Sequence, residues 1–351
     1  MKQFFYTIIV VLLIGNTAFS QVKEDKQYQI RTLAFYNLEN LFDTINNTAK
    51  NDEASPMMEL KGNKSKVYWD KIDKLGSVLS KIGEKKAKNS PAIIGVVEVE
   101  NDTVLKDLVK GKFLKDKRYS IIHYDSPDKR GIDVGLLYQE RYFKPVSHKS
   151  YELLIYDNEG ERIYTRDQLL VSGYLDDEMI HIIVNHWPSK RGGTRSIPFR
   201  QKAAALNVKI MEEIRVNEPN AKIITMGDFN DDPIESSFKK ILKTKMKKED
   251  VKENDIYNPF ESMYRKGFNT AGYRDNINLF DQILISSQLL TTSKDFSTYK
   301  MLKAGIYNPK YLISSKGRYK GYPFRSFSWG TYTGGYSDHY PSYMYLIKEK
   351  K

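Results

Sequence analysis

The sequence predicts a single α/β domain, with β-sheets inside and helices outside. Short apolar segments typical of strands alternate with amphipathic segments that have helical spacing. Neither an internal repeat nor a Pro- or Ser-rich linker divides the 351 residues. This length suffices for one large domain with a sizeable core. One layered α/β domain is therefore the simplest architecture for this chain.

Nine segments have the apolar and β-branched residues expected of strands: residues 30–36, 92–97, 119–123, 134–138, 169–174, 180–185, 222–226, 282–285 and 343–347. A polar loop is predicted at residues 43–65. Apolar residues then recur at helical spacing over residues 69–82, which predicts the first helix. A second helix is predicted at residues 199–214, where Leu206 and Ile210 share one apolar face.

The first 20 residues have the layout of a secretory signal peptide. Lys2 precedes an apolar run at residues 4–15, and Ala18 and Ser20 are the small residues of a cleavage site after Ser20. The run is shorter than the roughly 20 residues that span a bilayer, so an uncleaved anchor is the weaker alternative. The sequence thus predicts a secreted or periplasmic protein without a transmembrane anchor after cleavage. A polar lead at residues 21–28 and a domain at residues 29–348 would follow.

Charge and cysteine content limit the functional classes. The chain has 56 Lys and Arg against 44 Asp and Glu, a formal net charge of +12. This excess favours a polyanionic partner, and nucleic acid and an anionic membrane surface both qualify. With no cysteine in the sequence, disulfides, thiolate nucleophiles and cysteine-ligated zinc are excluded.

Polar side chains follow or precede the predicted strands at five places. These motifs supply carboxylates, amides and imidazoles: Asn37 and Glu39, Glu98, Asn185 and His186, Asp228 and Asn230, and Asp338 and His339. Strands that converge in a sheet would bring such ends together. Each motif alone also fits a turn or a solvated strand end. As a set they predict an oxygen-rich site suited to Mg²⁺ or Mn²⁺ rather than zinc, with Ca²⁺ left open.

The motifs NLEN, VVEVEN, NHWPSK, GDFND and SDHYP together resemble the endonuclease/exonuclease/phosphatase superfamily, which has the deoxyribonuclease-I-like fold. The resemblance covers residues 30–347. It implies a four-layer sandwich in which two mostly antiparallel β-sheets pack face to face with helices outside. The segments NLENLFDT, EVEN and RGIDVGLLY are similar to a subgroup of mostly secreted bacterial proteins assigned as nucleases.

The resemblance also implies roles for individual residues. Glu98 matches the main metal-binding glutamate, and Glu100 is the less favoured alternative. The other metal-site matches are Asn37, Glu39 and Asp338. The catalytic matches are Asp228, Asn230, His186, His339 and Asp281, with Asp281 orienting His339. Either Asp228 or His339 could serve as the base that activates water, and the sequence leaves both open.

Three basic features favour nucleic acid as the substrate. Lys190, Arg191 and Arg195 lie in a loop just after His186, and Arg130 lies in a second loop. Residues 299–329 contain seven Lys or Arg, no Asp or Glu, and many interleaved aromatics. Cations bind backbone phosphates and aromatic rings stack on bases. The same segment could also be a solvated loop whose aromatic side chains pack on the core.

The predicted function is therefore that of a secreted, metal-dependent endonuclease that hydrolyses DNA, RNA or both. The alternative is a phosphodiesterase or phosphatase acting on lipid headgroups or small phosphate esters. An apolar hairpin expected of a membrane-active member is not found in the sequence. A catalytically inactive binding protein is disfavoured because competent residues fill every matched position. No protein partner is predicted.

Overall fold

The computed structural model describes residues 26–273, 276–290 and 295–350. The predicted signal peptide lies outside these residues. The described strands are β1 (Tyr28–Leu41), β2 (Ile93–Val99), β3 (Tyr119–His123), β4 (Asp133–Gln139), β5 (Phe143–Tyr151), β6 (Ile155–Tyr156), β7 (Arg162–Ile163), β8 (Gln168–Leu175), β9 (Glu178–His186), β10 (Ile223–Asp228), β11 (Ile256–Tyr257), β12 (Ala271–Tyr273), β13 (Asn276–Asn278), β14 (Asp281–Ser286), β15 (Lys300–Ile306), β16 (Phe327–Ser328), β17 (Thr331–Tyr332) and β18 (Ser342–Glu349). The described α-helices are α1 (Pro56–Glu59), α2 (Lys64–Leu79), α3 (Glu84–Ala87), α4 (Asp102–Lys110), α5 (Ile197–Asn217) and α6 (Pro259–Tyr264).

Twelve of these strands form two six-stranded sheets. The strand order is β15-β18-β1-β2-β4-β3 in the first sheet and β11-β14-β10-β9-β8-β5 in the second. One neighbouring pair in each sheet is parallel, β1 with β2 and β9 with β10. All other neighbours in the two sheets are antiparallel. The prediction of two mostly antiparallel sheets is confirmed.

Alternate residues of the central strands face different layers, as the period of two along a strand requires. Phe35 and Val97 of the first sheet share the core between the sheets with Ile182 and Met226 of the second. Gly95 permits the close approach, because a Cβ there would lie 2.7 Å from the Met226 sulfur. The outer face of the first sheet packs against α2 and α4, and that of the second against α5. These layers confirm the four-layer sandwich.

Three of the larger elements were missed by the sequence analysis. Helix α4 begins where the Asn101 side chain accepts a hydrogen bond of 3.0 Å from the Val104 amide, a regular N-cap. Strand β5 lies at the edge of its sheet and is mostly exposed. Strand β15 is likewise an edge strand. An edge strand can lack an apolar run in its sequence, because it has a neighbouring strand on one side only and its other side is open to water.

An ionic cluster joins the two sheets at one end of the sandwich. Glu178, the first residue of β9, pairs with Lys222 and with Lys348 of the other sheet. The same carboxylate accepts a hydrogen bond from the Tyr299 amide. Because β9 begins with Glu178 and ends at His186, the predicted catalytic residues lie at the opposite end.

None of the helices in the described parts of the chain has both the length and the apolar character needed to span a membrane.

Candidate active site

The strand register brings the predicted site residues to one edge of the sandwich. In the second sheet, Asp228 at the end of β10 pairs with His186 of β9 on one side and with Asp281 of β14 on the other. In the first sheet, Asn37 of β1 pairs with Val97, one residue before Glu98. Parallel neighbours end at the same edge, which explains why polar residues distant in sequence converge here.

Asp228 links the two sheets. Its Oδ2 accepts a hydrogen bond of 3.1 Å from the Asn37 amide of the first sheet, and its Oδ1 accepts one of 3.0 Å from the Asn230 backbone. Asn230 adopts φ +49° and donates its side-chain amide to the Trp187 carbonyl at 3.0 Å. Burial raises the pKa of Asp228 to about 7, and His339 opposes this shift. A buried carboxylate held in this way is a candidate proton acceptor.

His339 forms a dyad with Asp281. Its Nδ1 lies 2.7 Å from Asp281 Oδ2, and its Nε2 lies 3.9 Å from Asp228 Oδ2. Asp281 is fully buried. Burial disfavours a charged imidazole, but the Asp281 and Asp228 carboxylates outweigh it and raise the pKa of His339 well above its ordinary value. The structure thus places Asp281 where an orienting carboxylate is expected.

His186 approaches the same carboxylate from another side. Its Nε2 lies 3.7 Å from Asp228 Oδ2 and 3.9 Å from Glu98 Oε1. Its buried Nδ1 has no hydrogen-bond partner among the described residues. Burial, with the Arg166 cation nearby, lowers the pKa of His186 well below its ordinary value. This imidazole is therefore neutral, which suits a hydrogen-bonding role rather than an ionic one.

The backbone is strained where the first sheet reaches the site. Glu39, Asn40 and Glu98 all have positive φ, at +49°, +49° and +59°, a region that side chains other than glycine rarely adopt. The Glu98 carboxylate accepts a hydrogen bond of 2.9 Å from the backbone N–H of Asn40. Asn37 Oδ1 accepts one of 2.9 Å from the backbone N–H of Glu39. Such strain concentrates at functional sites, where the fold supports it.

Arg325 links Glu39 to Asp338. It donates to Asp338 Oδ2 at 2.9 Å, and its Nε lies 3.5 Å from Glu39 Oε1. Glu39 also accepts hydrogen bonds from the backbone amides of Ser326 and Phe327. Burial raises the pKa of Glu39 to about 7, and Asp338 adds to the shift. Glu39 therefore holds residues 325–327 in place, in addition to any role beside a metal ion.

Acidic and histidine side chains cluster closely enough to hold a cation. Ligand atoms of Asp228, Asp281 and His339 lie within 4.8 Å of one another, and a second such group comprises His123, Asp125 and Asp133. The first group lies among the predicted site residues. Its donors, together with the Glu98 carboxylate and the Asn37 amide oxygen, are mostly oxygen atoms, which fits Mg²⁺ or Mn²⁺.

The four predicted substrate-binding residues differ in their surroundings. Arg191 and Arg195 are exposed on the loop that leads into α5. Lys190 donates to Asp232 and Glu235, both at 3.2 Å. Arg130 is partly exposed and its Nε lies 3.5 Å from Asp128. Arg191 and Arg195 are thus exposed for contacts with a substrate, whereas Lys190 is held by two carboxylates.

Two buried cations near the site were missed by the sequence analysis. Lys71 is fully buried and donates to the Glu39 carbonyl at 2.8 Å and to Ser326 Oγ at 2.7 Å. Arg166 donates to the Asp128 carboxylate at 3.1 Å and to the Trp187 carbonyl at 2.6 Å. Helical spacing places Lys71 on the buried face of α2 beside Ile72 and Leu75, a signal that could have found it. No motif marks Arg166.

A cavity of about 750 Å³ adjoins the site. Its lining includes Glu39, Asn40 and Asp338, and also Arg318, Tyr319, Tyr322, Phe324, Arg325 and Trp329. The structure divides the basic aromatic segment at residues 299–329. Residues 314–329 contribute to this cavity, whereas Lys300 lies in β15 and donates to the Gln288 carbonyl. The part of this segment that lines the cavity is therefore its second half.

Comparisons with known proteins agree with this architecture. The sequence model described as "Endonuclease/Exonuclease/phosphatase family" matches residues 32–348. Three solved structures are similar in fold. A family protein from Bacteroides thetaiotaomicron is 16% identical with a TM-score of 0.53, and the match covers 93% of this chain and 100% of that chain. D. rerio TDP2 complexed with single strand DNA product is 12% identical with a TM-score of 0.52, covering 90% and 98%.

The third structure is a mannosyl-6-phosphatase from Bacteroides thetaiotaomicron. It is 16% identical with a TM-score of 0.52, and the match covers 90% of this chain and 99% of that chain. At such identities the likeness shows the fold alone. No curated protein matches the chain in sequence at a significant level.

Proposed function

Because the chain belongs to the endonuclease/exonuclease/phosphatase family, a family of phosphoester hydrolases, we propose that it is a secreted, divalent-metal-dependent nuclease. The observation that carries this proposal is the position of Asp228. It is hydrogen-bonded to Asn37 of the other sheet and lies within 3.9 Å of two imidazoles. A buried carboxylate, an amide and two histidines at one strand edge supply the groups that phosphodiester hydrolysis needs.

The metal would be held by Glu98 and Asn37, with Glu39 and Asp338 beside it. When bound, such an ion polarises the phosphate and stabilises negative charge on the leaving oxygen. Because Asn37 contacts Asp228 directly, the proposed metal-binding residues and the proposed catalytic residues would form one continuous site.

The remaining roles belong to side chains of the second sheet and its neighbours. Asp228 would accept the proton of the attacking water, while Asn230 would hold water or phosphate. His186 and His339 would donate hydrogen bonds to the non-bridging phosphate oxygens, with Asp281 orienting His339. The alternative assigns the role of base to His339. The two assignments differ in which side chain takes the proton. Both fit the same geometry, because His339 Nε2 and Asp228 Oδ2 lie only 3.9 Å apart.

Several features support nucleic acid as the substrate. Arg191 and Arg195 are exposed beside His186 in sequence, and the neighbouring cavity combines cations with aromatic rings. Backbone phosphates bind such cations, and bases stack on such rings. The second candidate is hydrolysis of a lipid headgroup or a small phosphate ester. The favouring observation is the size of the cavity, about 750 Å³, which would accommodate a sugar phosphate.

The test is a comparison of substrates with the purified protein lacking residues 1–20. Plasmid DNA, RNA, sphingomyelin, bis-p-nitrophenyl phosphate and mannose 6-phosphate are each incubated with Mg²⁺ and with EDTA. Cleavage of a nucleic acid that EDTA abolishes is the expected result. Activity on sphingomyelin or on a small ester alone would favour the second candidate, and no hydrolysis of any of the five would contradict both. N-terminal sequencing of the exported protein tests secretion, with Gln21 expected as the first residue.

A further inference from the structure

A two-residue turn beside the cavity carries an unusual residue. Strands β16 and β17 pair through Phe327 with Tyr332 and Ser328 with Thr331, which leaves Trp329 and Gly330 as the turn. Their φ angles are +51° and +67°, the pattern of a type I′ turn, in which Asn-Gly is preferred. A bulky side chain with positive φ is a genuine outlier. Trp329 is also 90% exposed, so packing in the described structure does not explain it.

The hairpin that carries Trp329 is firmly attached. Tyr332 donates its hydroxyl to Asp70 of α2, and Phe327 is buried with its ring 5.4 Å from that of Tyr332. Lys74 donates to the Gly334 carbonyl just after the hairpin. Trp329 is therefore exposed on a rigid support, not at the end of a loose loop. A ring presented in this way can bind a flat partner with little loss of conformational entropy.

Trp329 lies on the wall of the cavity that also contains Glu39 and Asp338. Further aromatic residues line the same cavity, namely Tyr319, Tyr322, Phe324 and Phe327. The Tyr322 ring is packed on Gly272, where an added Cβ would lie 2.8 Å from it. Arg318 and Arg325 also belong to the lining. The cavity thus joins aromatic faces and positive charge to the edge of the proposed phosphate site.

We infer that this cavity binds an unstacked nucleobase of single-stranded nucleic acid next to the scissile phosphate, with Trp329 as the stacking residue. The inference rests on the proposed function and adds strand preference to it. Bases within a duplex are already stacked on their neighbours, so a ring at a cavity wall can reach only a base that has left the stack.

The test uses binding without turnover. The protein lacking residues 1–20 is kept in EDTA and titrated with a fluorescein-labelled single-stranded oligonucleotide, the same sequence as a duplex, and mannose 6-phosphate. We expect single strands to bind more tightly than the duplex. Trp329→Ala should weaken single-strand binding about tenfold, the usual scale of one base stacked on an aromatic ring. Trp329→Phe should restore most of it. Tyr174→Ala is the control, because Tyr174 is a 41% exposed aromatic paired with Met179 near the opposite end of the sheet.

Trp329→Asn separates a binding role from a structural one. Asn-Gly is the preferred type I′ sequence, so this variant should have a higher unfolding midpoint and yet bind single strands as weakly as Trp329→Ala. Unchanged single-strand binding in both variants, or equal binding of duplex, would overturn the inference. Tighter binding of mannose 6-phosphate than of the oligonucleotide would also overturn it.

The outcomes for the inference and for the proposed function are distinct. Trp329-dependent binding of single strands in a protein that hydrolyses no phosphodiester would support the base site and contradict the nuclease. Metal-dependent cleavage of DNA or RNA by a protein whose single-strand binding is unchanged by Trp329→Ala would support the nuclease and contradict the base site.

Discussion

His339 Nδ1 lies 2.7 Å from the Asp281 carboxylate, and the two residues belong to segments that lead into different sheets of the sandwich. Asp281 is the first residue of β14 in the second sheet, and His339 lies three residues before the start of β18 of the first. The carboxylate fixes the orientation of the ring, because it accepts a hydrogen bond from Nδ1 and leaves Nε2 directed at Asp228. A proton donor or acceptor at that nitrogen therefore depends on how the two sheets are docked.

Asp228 and His339 are expected to be essential for hydrolysis. Asp228→Asn and His339→Ala should each lower the rate by at least ~10², because each removes a proton acceptor or a hydrogen-bond donor at the reacting phosphate. The measurement is the initial rate on the best substrate. His181→Gln is the matched control. His181 lies on β9, the strand that ends at His186, but it is remote from the site and its Nε2 is 3.0 Å from the Glu218 carboxylate. A near-normal rate in either site variant would contradict the assignment.

Asp281 is expected to act only through His339. Asp281→Asn should slow hydrolysis, because the ring loses its orienting carboxylate. Adding Asp281→Asn to His339→Ala should cause no further loss, since groups that act as a unit are not additive. The four rates of this double-mutant cycle check the prediction. If the rate loss in the double variant equalled the product of the two single losses, Asp281 would have a role of its own, for example beside a metal ion.

Glu98 is expected to hold the divalent ion. Glu98→Gln should raise the Mg²⁺ concentration needed for half-maximal activity and weaken Mn²⁺ binding, because the substitution removes a negative oxygen donor. Free Mn²⁺ can be measured by electron paramagnetic resonance without any turnover. Glu218→Gln, at the His181 dyad remote from the site, provides a control of the same chemistry. Unaltered Mn²⁺ binding in Glu98→Gln would shift the metal site to other residues.

The loop after His186 is expected to contribute to binding through charge. Each phosphate contact adds about 0.7 to 0.9 to the slope of log affinity against log salt concentration. Arg191→Ala and Arg195→Ala should each reduce that slope by up to the amount that one phosphate contact contributes, because both side chains are exposed. Lys190→Ala should change it less, since Lys190 already pairs with Asp232 and Glu235. Salt titrations of oligonucleotide binding check the order, and equal effects would refute it.

The ionic cluster at the far end is expected to stabilise the fold in a pH-dependent manner. Although burial opposes it, Lys222 and Lys348 hold the pKa of Glu178 below its ordinary value. A carboxyl group with a lowered folded-state pKa stabilises the protein above its unfolded pKa and loses that effect as pH falls through the folded value. Glu178→Gln should therefore cost about 2 kcal/mol at pH 7 and progressively less toward pH 3. Urea unfolding across this range tests it, and a pH-independent cost would contradict it.

The sequence was sufficient to predict which strand ends converge at the candidate site. Asn37, His186 and Asp228 each follow a strongly apolar strand, so their placement at a sheet edge depends only on local pattern. The register that brings Asp228 opposite Asp281 and within 3.1 Å of Asn37 is a tertiary property of two docked sheets. Before the structure, strand convergence grouped Asn37 with Asp228, and only the resemblance to a known family added Asp281.

The surroundings of charged residues could not be predicted in the same way. Lys190 and Arg191 are adjacent and both positively charged, yet Lys190 is paired with two carboxylates and Arg191 is exposed. Lys71 and Arg166 were missed because a charged residue is normally assigned to the surface, and burial is rare without a specific partner. Their partners come from distant parts of the chain, which no local pattern reveals.

Strand β18 joins parts of the first sheet that are distant in sequence. It lies between β1 and β15 in its sheet and begins three residues after His339. A nascent chain that has not reached this segment lacks the imidazole, and it lacks the strand that joins the first part of its own sheet to the last. Under the proposed function, a polypeptide whose synthesis stops before His339 would therefore be inactive, because it could form neither the dyad with Asp281 nor the middle of the first sheet.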